Sequence, residues 1–183
     1  MQNAGLFNTG AKLAKLGSFY ARAIAESNVP YDVLLGPAYK GIPLVSAASI
    51  FLAQNHGVDA PYCFNRKEAK DHGEGGTIVG SPLKGRCLVI DDVITAGTAV
   101  RESAALVSGN GATLAGVVVA LDREERGADT DLTAIEQVRQ DLGVPVVPIC
   151  TLAQLIGFLE ASGKADEAAR CKAHREQYGP KAA

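Results

Sequence analysis

Five short apolar segments alternate with amphipathic segments along this 183-residue chain. The apolar segments have the length of strands, and the segments between them repeat apolar residues every three or four positions, as a helix with one buried face does. This alternation is typical of an open, mostly parallel sheet with helices on both faces. The sequence therefore predicts one five-stranded α/β domain over residues 1–183, with strands at 33–35, 61–64, 87–90, 114–121 and 146–149.

The third predicted strand ends in two adjacent carboxylates, Asp91 and Asp92, and a turn of small residues at 95–99 then opens a helix. Ligands dock at the carboxyl ends of parallel strands, and a helix N-terminus favours an anion, so the turn suits a phosphate. A buried acid pair is unfavourable unless polar groups or a cation bind it. The stretch favours a phosphorylated sugar; the alternative is an ordinary strand-to-helix junction with a polar rim.

Residues 89–99, with the sequence VIDDVITAGTA, resemble the motif that binds phosphoribosyl pyrophosphate (PRPP) in type I phosphoribosyltransferases. Three more segments are similar to bacterial orotate phosphoribosyltransferases: NAGLFNTG at 3–10, GPAYKGIP at 36–43 and CFNRKEAKDHGEGG at 63–76. The resemblance implies the type I phosphoribosyltransferase fold. It also implies Mg²⁺-dependent transfer of a 5-phosphoribosyl group from PRPP to orotate, giving orotidine 5′-monophosphate and pyrophosphate in pyrimidine synthesis.

The same resemblance implies the residues that bind PRPP. Asp91 and Asp92 hold ribose hydroxyls and metal-linked water, with Mg²⁺ held mainly by substrate and water. Tyr39 and Lys40 contact the pyrophosphate, although a lone loop lysine is otherwise a solvated charge. The glycines of this loop, Gly36 and Gly41, permit unusual dihedrals and a close approach to a ligand. The remaining positions follow the acid pair and are Val93, Ile94, Thr95, Ala96, Gly97, Thr98 and Ala99.

The segment 66–79 combines basic side chains, acids and glycines without apolar periodicity, so we expect a mobile loop. Such a loop can close over a pyrophosphate leaving group and supply positive charge; the alternative is a solvated run of charges. In the family the similar loop reaches the neighbouring subunit of a homodimer. This implies that Lys67 acts in its own site, whereas Arg66, Lys70 and His72 act in the neighbouring one. Of these residues, Lys70 and His72 are expected to be catalytic.

Arg123 follows the fourth predicted strand and is surrounded by acids in the sequence LDREER. The structural alternative is a pair with those neighbours, but a guanidinium also suits a carboxylate such as that of orotate, because it donates two parallel hydrogen bonds. The resemblance implies that Arg123 and Thr95 contact orotate.

Members of the family carry a longer segment before NAGLFNTG, with a lysine that touches PRPP and two phenylalanines that stack on the base. Met1 and Gln2 stand at the place of the phenylalanines here. We therefore expect a truncated hood region over the site, either because the chain as given is shortened or because the base pocket has lost a wall. Aromatic stacking contributes about 1 to 3 kcal/mol per base in nucleic-acid systems, so sugar binding should survive better than orotate binding.

A formal charge of −2 supplies no general basic field for nucleic acid. No apolar run approaches the length of a membrane span, and the N-terminus does not resemble a signal sequence. Zinc-type ligand spacing is not apparent, and neither His56 nor His174 is given a role. We expect a cytoplasmic protein without nucleic-acid or membrane partners, in which four cysteines are free thiols: Cys63, Cys87, Cys150 and Cys171.

Two other functions remain open from the sequence. One is a phosphoribosyltransferase for another base, in which Arg123 would lose its proposed partner. The other is a module that senses PRPP without chemistry, which has little need of the basic residues of segment 66–79. Their presence favours the enzyme.

Overall fold

The computed structural model describes residues 4–70, 76–95, 97–127 and 130–180. After a 3-10 turn at Ala4–Leu6, the helices are α1 (Gly10–Ser27), α2 (Gly41–His56), α3 (Thr98–Gly109), α4 (Ala134–Leu142), α5 (Leu152–Ala161) and α6 (Ala165–Tyr178). The strands are β1 (Val33–Gly36), β2 (Tyr62–Lys70), β3 (Gly76–Gly80), β4 (Arg86–Val93), β5 (Thr113–Asp122) and β6 (Val146–Thr151).

The strands form one sheet in the order β3-β2-β1-β4-β5-β6. Every neighbouring pair is parallel except β2 and β3, which are antiparallel. The predicted open, mostly parallel sheet is confirmed, but the predicted count of five strands is wrong by one. All five predicted strands are present, and β3 is the addition.

The missed strand belongs to the segment predicted as an irregular loop over residues 66–79. Strand β2 continues through Lys70 and pairs with β3 at the edge of the sheet. Backbone hydrogen bonds alone define such an edge pair, so it needs no apolar alternation, and an irregular register between Asn65 and Lys70 hides it further. The loop prediction is therefore wrong for the secondary structure of residues 66–70 and 76–79. Mobility and the single-domain organisation remain predictions.

Successive residues of β4 point to opposite faces of the sheet and build two cores. Cys87 and Val89 pack on one side with Val100 of α3 and Ile135 and Val138 of α4. The other core lies between the sheet and the helices α1 and α2, and it contains Leu16, Tyr20, Val45, Leu52, Leu88 and Ile90. Both faces of the sheet are therefore covered, and the two acids of β4 come at its carboxyl end, after an apolar run from Cys87 to Ile90.

Local signals place the helix starts. Thr9 caps α1 by accepting from the amide of Lys12. Thr151 caps α5 within a capping box completed by Gln154. None of the helices in the described part of the chain combines the length and apolarity of a membrane-spanning segment. The four cysteines are free, as predicted.

Candidate active site

A cavity of about 870 Å³ opens where β1 and β4 end. The loop after β1, the middle of β2, the end of β4 and the first turns of α3 surround it. Parallel strands direct their carboxyl ends to the same edge of the sheet, which is why segments distant in the sequence meet here. Most of the predicted PRPP-binding residues contribute to its wall, including Tyr39, Lys40, Lys67, Asp91, Asp92 and Thr95.

The acid pair at the end of β4 is nearly buried, with 9% of Asp91 and 7% of Asp92 exposed. Asp91 Oδ1 accepts from the amide of Asp92, and Asp92 Oδ1 accepts from the amide of Val93, both at 2.8 Å. Lys40 Nζ donates to Asp92 Oδ2 at 2.8 Å. The second carboxylate therefore has a cationic partner, which offsets part of the repulsion between the two acids.

Asp91 has no direct cationic partner among the described residues. Burial, together with the nearby charge of Asp92, raises the pKa of Asp91 from its ordinary value of 3.8 to about 6. The hydrogen bond that Lys40 Nζ donates to Asp92, together with the negative charge of Asp92, raises the pKa of the Lys40 amine. The free site thus has one acid neutralised by lysine and one whose charge is unfavourable until polar groups or a cation approach it.

Tyr20 of α1 supports the backbone of the acid pair, a role that no pattern in the sequence indicates. The side chain is fully buried, and its hydroxyl donates to the carbonyl oxygen of Asp91 at 2.7 Å. Burial raises the pKa of Tyr20, so the phenol is a neutral donor. Strand β1 pairs with β4 only as far as Val89, so this bond anchors the backbone of Asp91 beyond that pairing.

The loop after β1 is tied to β2. The amide of Ala38 donates to Asn65 Oδ1 at 2.8 Å, and a non-proline cis peptide joins Ala38 to Tyr39. Lys67 Nζ lies 5.2 Å from the centre of the Tyr39 ring, within the range of a cation–π contact. Asn65 is a further residue of this wall. Asn65 lies in the segment 63–76 that resembles the family, but no sequence pattern distinguishes this asparagine from its neighbours as a site residue.

Gly36 and Gly41 have a different role from the one expected. A Cβ on Gly36 would collide with the carbonyl oxygen of Gly41, and a Cβ on Gly41 would lie 2.6 Å from Pro37 Cδ. The two glycines therefore allow the end of β1 to pack against the start of α2. Their close approach is to each other, and it sets the position of Lys40 between them.

The turn into α3 begins at Gly97, whose φ of +72° lies in the left-handed region. Thr95 and Ala99 line the cavity, while the side chain of Ile94 is buried in the core, so only its backbone is available to a ligand. The first amides of α3 have no partner within the helix and can donate to an anion. Ser103 is a further cavity residue, and its hydroxyl donates to the carbonyl of Ala99 at 2.8 Å.

The basic residues of segment 66–79 are only partly described. Arg66 and Lys67 line the cavity of their own chain from β2. The backbone of Lys70 ends β2. His72 lies outside the described residues, as does Ala96 of the turn. The assignment of Arg66, Lys70 and His72 to a neighbouring subunit remains a prediction.

Comparisons with known proteins agree with this geometry. Residues 6–144 match the phosphoribosyl transferase domain family. The chain is 59% identical over 178 residues to an orotate phosphoribosyltransferase of Pectobacterium carotovorum subsp. carotovorum (strain PC1), covering 97% of this chain and 83% of that protein. A protein of the same name from Cronobacter sakazakii (strain ATCC BAA-894) is 57% identical with the same coverage.

The crystal structure of orotate phosphoribosyltransferase from Francisella tularensis superposes with a TM-score of 0.84 at 42% identity, covering 97% of this chain and 85% of that one. The chain belongs to the orotate phosphoribosyltransferase family. The predicted resemblance is therefore confirmed, and with it the type I phosphoribosyltransferase fold.

One residue expected from the orotate phosphoribosyltransferase family, Arg123, does not line the cavity of the acid pair. It faces a second cavity of about 540 Å³, whose wall combines four leucines with charged side chains. Arg123 Nη2 lies 2.5 Å from Glu125 Oε2, which is the structural alternative stated from the sequence. Its buried Nε has no hydrogen-bond partner among the described residues. Thr95 and Arg123 are both expected to touch orotate, but Thr95 lines the cavity of the acid pair and Arg123 lines the second cavity.

His174, which received no role from the sequence, belongs to the second cavity. Its Nε2 lies 2.8 Å from Glu125 Oε1. Within the described residues, no group of three or more His, Cys, Asp or Glu side chains is arranged to hold a metal ion.

Proposed function

We propose that this chain transfers a 5-phosphoribosyl group from PRPP to N1 of orotate, giving orotidine 5′-monophosphate. The C1–O bond to pyrophosphate breaks as the new C1–N bond forms, pyrophosphate leaves with the bonding electron pair, and the proton on N1 of orotate is released to solvent. Displacement at this carbon passes through an oxocarbenium-like state, which needs little covalent help from the protein. Catalysis is then mainly positioning and stabilisation of charge.

The observation that carries this proposal is the shared cavity of the acid pair, Lys40 and the start of α3. Asp91 and Asp92 present carboxylate oxygens to ribose hydroxyls, and the amides at residues 97–99 suit the 5′-phosphate. Lys40, which already pairs with Asp92, can exchange that contact for the pyrophosphate. These groups belong to segments that are far apart in the sequence, so the sequence alone does not show that they share a cavity.

Magnesium fits the donor set. Asp91 and Asp92 offer hard oxygen ligands, and Mg²⁺ is commonly held by one or two carboxylates plus substrate phosphates and water. When bound, the ion would neutralise the charge that develops on pyrophosphate. Asp91, whose charge is unfavourable in the free site, would gain most from the approach of a cation.

The base is proposed to lie between Thr95 and Arg123. The buried Nε of Arg123 is a donor without an acceptor among the described residues, and an unsatisfied buried donor costs about 1 to 3 kcal/mol. A carboxylate such as that of orotate would satisfy it once the guanidinium shifts and exposes Nε to the ligand. A base without a carboxylate would leave it unsatisfied, which favours orotate over other bases.

The same proposal includes a cytoplasmic homodimer in which segment 66–79 is mobile and closes over the pyrophosphate. Arg66, Lys70 and His72 would serve the neighbouring subunit's site and Lys67 its own. Mixing a Lys70→Ala variant with an Asp91→Ala/Asp92→Ala variant tests this directly. Each is expected to be inactive alone, and mixed dimers recover part of the activity only if the loop acts across the interface.

The activity is tested by initial rates with PRPP, Mg²⁺ and one of several bases, with the nucleotide product separated by chromatography. We expect orotidine 5′-monophosphate from orotate and no nucleotide from uracil, adenine or hypoxanthine. Removal of Mg²⁺ by a chelator should stop the reaction, and its readdition should restore it. Equal rates with a base that lacks a carboxylate, or PRPP binding without any nucleotide product, would contradict the proposal.

A further inference from the structure

We propose that Glu125 is a positioning residue for Arg123 and that helix α6, through His174, holds Glu125 in place. This rests on the proposed function, in which the Arg123 guanidinium binds the carboxylate of orotate. The loop after β5 and the last helix would then set the direction in which that guanidinium points, and thereby the affinity for the base.

The Arg123–Glu125 contact is well shielded from solvent. Only 19% of the Arg123 side chain and 22% of the Glu125 side chain are exposed, and Nη2 lies 2.5 Å from Oε2. An ion pair at such a site is screened less than one on the surface. Glu125 occupies one side of the guanidinium, and the buried Nε is left without a partner among the described residues. The planar fork is thereby held in one orientation.

Glu125 is itself held from the other side. Its Oε1 lies 2.8 Å from His174 Nε2 on α6, and the ring centre of His174 lies 4.6 Å from that of Tyr178. The backbone reinforces the contact, because the amide of Arg126 donates to the carbonyl of Tyr178 at 2.9 Å. The amide of Ala134 donates to the carbonyl of Glu125 at 3.0 Å, which joins the loop to α4 as well. Glu125 therefore has little freedom to turn away from Arg123.

The neighbouring acid, Glu124, provides a matched control. It has the same burial, with 23% of its side chain exposed, and it also links the loop to the last two helices. Its Oε1 accepts from the amide of Ala153 in α5 at 3.3 Å, and its Oε2 lies 3.9 Å from Arg175 of α6. Glu124 thus fastens the same segments without touching Arg123. A role limited to fastening the helices would make the two acids equivalent.

The test compares Glu125→Gln with Glu124→Gln by initial rates, with orotate and PRPP varied separately, and by thermal unfolding. For Glu125→Gln we expect the KM for orotate to rise about tenfold, the KM for PRPP to stay within about twofold, and the fold to remain, because one weakened charge-assisted hydrogen bond is worth roughly that factor. Glu124→Gln should leave the KM for orotate within about twofold of the parent.

Two variants of His174 extend the test to α6. His174→Ala removes the contact to Glu125 and should raise the KM for orotate by a smaller factor. His174→Gln can still donate to Glu125 Oε1 and should restore much of the parental value. A general loss of stability would not raise the KM for orotate while leaving the KM for PRPP unchanged, and glutamine at position 174 would not be expected to reverse it.

The outcomes separate this inference from the proposed function. If Arg123→Lys raises the KM for orotate and Glu125→Gln does not, the positioning role is wrong while the function stands. Equal effects of Glu124→Gln and Glu125→Gln on both substrates would also overturn it, in favour of a fastening role. If the parent chain does not bind orotate in a calorimetric titration, the proposed function and this inference both fail.

Discussion

The ends of β4 and β5 lie side by side in the sheet, with Val93 opposite Leu121, and they carry two different kinds of site. At β4 the acid pair is satisfied by local amides, by Lys40 and by the support of Tyr20. At β5 the cation Arg123 is paired with Glu125 on one side, beside a cavity lined by leucines and charged side chains, and its Nε has no partner among the described residues. The sugar side is thus largely preformed, whereas the base side keeps an unsatisfied donor among the described residues.

The largest expected effect concerns the unfavourable charge of Asp91 in the free site. Because the pKa of Asp91 is raised to about 6, the folded chain binds more protons than the unfolded chain between about pH 4 and pH 6. This contribution to the free energy of unfolding therefore falls as the pH rises, by roughly 3 kcal/mol in total. Asp91→Asn removes it, so the stability of the variant relative to the parent should increase toward neutral pH.

Chemical denaturation of both proteins at several values between about pH 4 and pH 7 measures this difference. A constant difference across the range would mean that Asp91 is not electrostatically unfavourable. The proposed sugar side would then carry no electrostatic cost before a ligand binds.

Arg123→Lys addresses the base side alone. Lysine keeps the charge but cannot donate two parallel hydrogen bonds, and it also loses the orientation given by Glu125. We expect the KM for orotate to rise about 10- to 100-fold, which corresponds to the usual 1.5 to 3 kcal/mol of a charge-assisted hydrogen bond. The KM for PRPP should change less than about twofold. Equal increases for both substrates would show that the two cavities do not act separately.

Gly97→Ala tests how far the start of α3 is preformed. A non-glycine residue at this φ of +72° costs about 1 to 2 kcal/mol, and the new Cβ would lie 2.8 Å from Val138 Cγ2. PRPP affinity and stability should both fall, the affinity by about tenfold. The control is Gly109→Ala at the other end of α3, where a Cβ meets nothing within 4 Å. An unchanged PRPP affinity in Gly97→Ala would show that the turn is not part of the sugar site.

Tyr20→Phe should have the smallest effect, and it tests the support beneath Asp91. The variant leaves the Asp91 carbonyl without its 2.7 Å donor, at a cost of about 1 kcal/mol in the free energy of unfolding. We expect a modest rise in the KM for PRPP and an unchanged KM for orotate. Tyr31→Phe is the control, because Tyr31 packs against the same core just before β1 begins, at the opposite edge of the sheet from the cavity. Equal effects of the two variants would deny Tyr20 a role in positioning the acids.

Much of the fold could be predicted because its signals are local. The strand and helix segments are continuous in the sequence, and Asp91, Asp92 and the turn that follows them form one uninterrupted motif. Strand β3 could not be predicted in this way, because it is short, lies between glycines and pairs with a polar segment. Its register depends on a partner strand rather than on its own residues.

The contacts that complete the site join residues far apart in the chain. Tyr20 and Asp91 are 71 residues apart, and Lys40 and Asp92 are 52 apart. No spacing rule relates such positions, so their pairing appears only once the sheet and α1 are assembled. Arg123 differs from these residues because its partner, Glu125, is only two positions away. The sequence therefore offers this ion pair as an alternative, although the resemblance to the family favours a contact with orotate.

The most direct test of the account is a calorimetric titration of PRPP with Mg²⁺ into the parent chain and into Asp91→Ala/Asp92→Ala. The account predicts that the parent binds and that the double variant loses at least about 100-fold in affinity, since two polar partners of the ribose and metal are removed at once. The same affinity in both proteins would contradict it, because the end of β4 would then not be where the activated sugar binds.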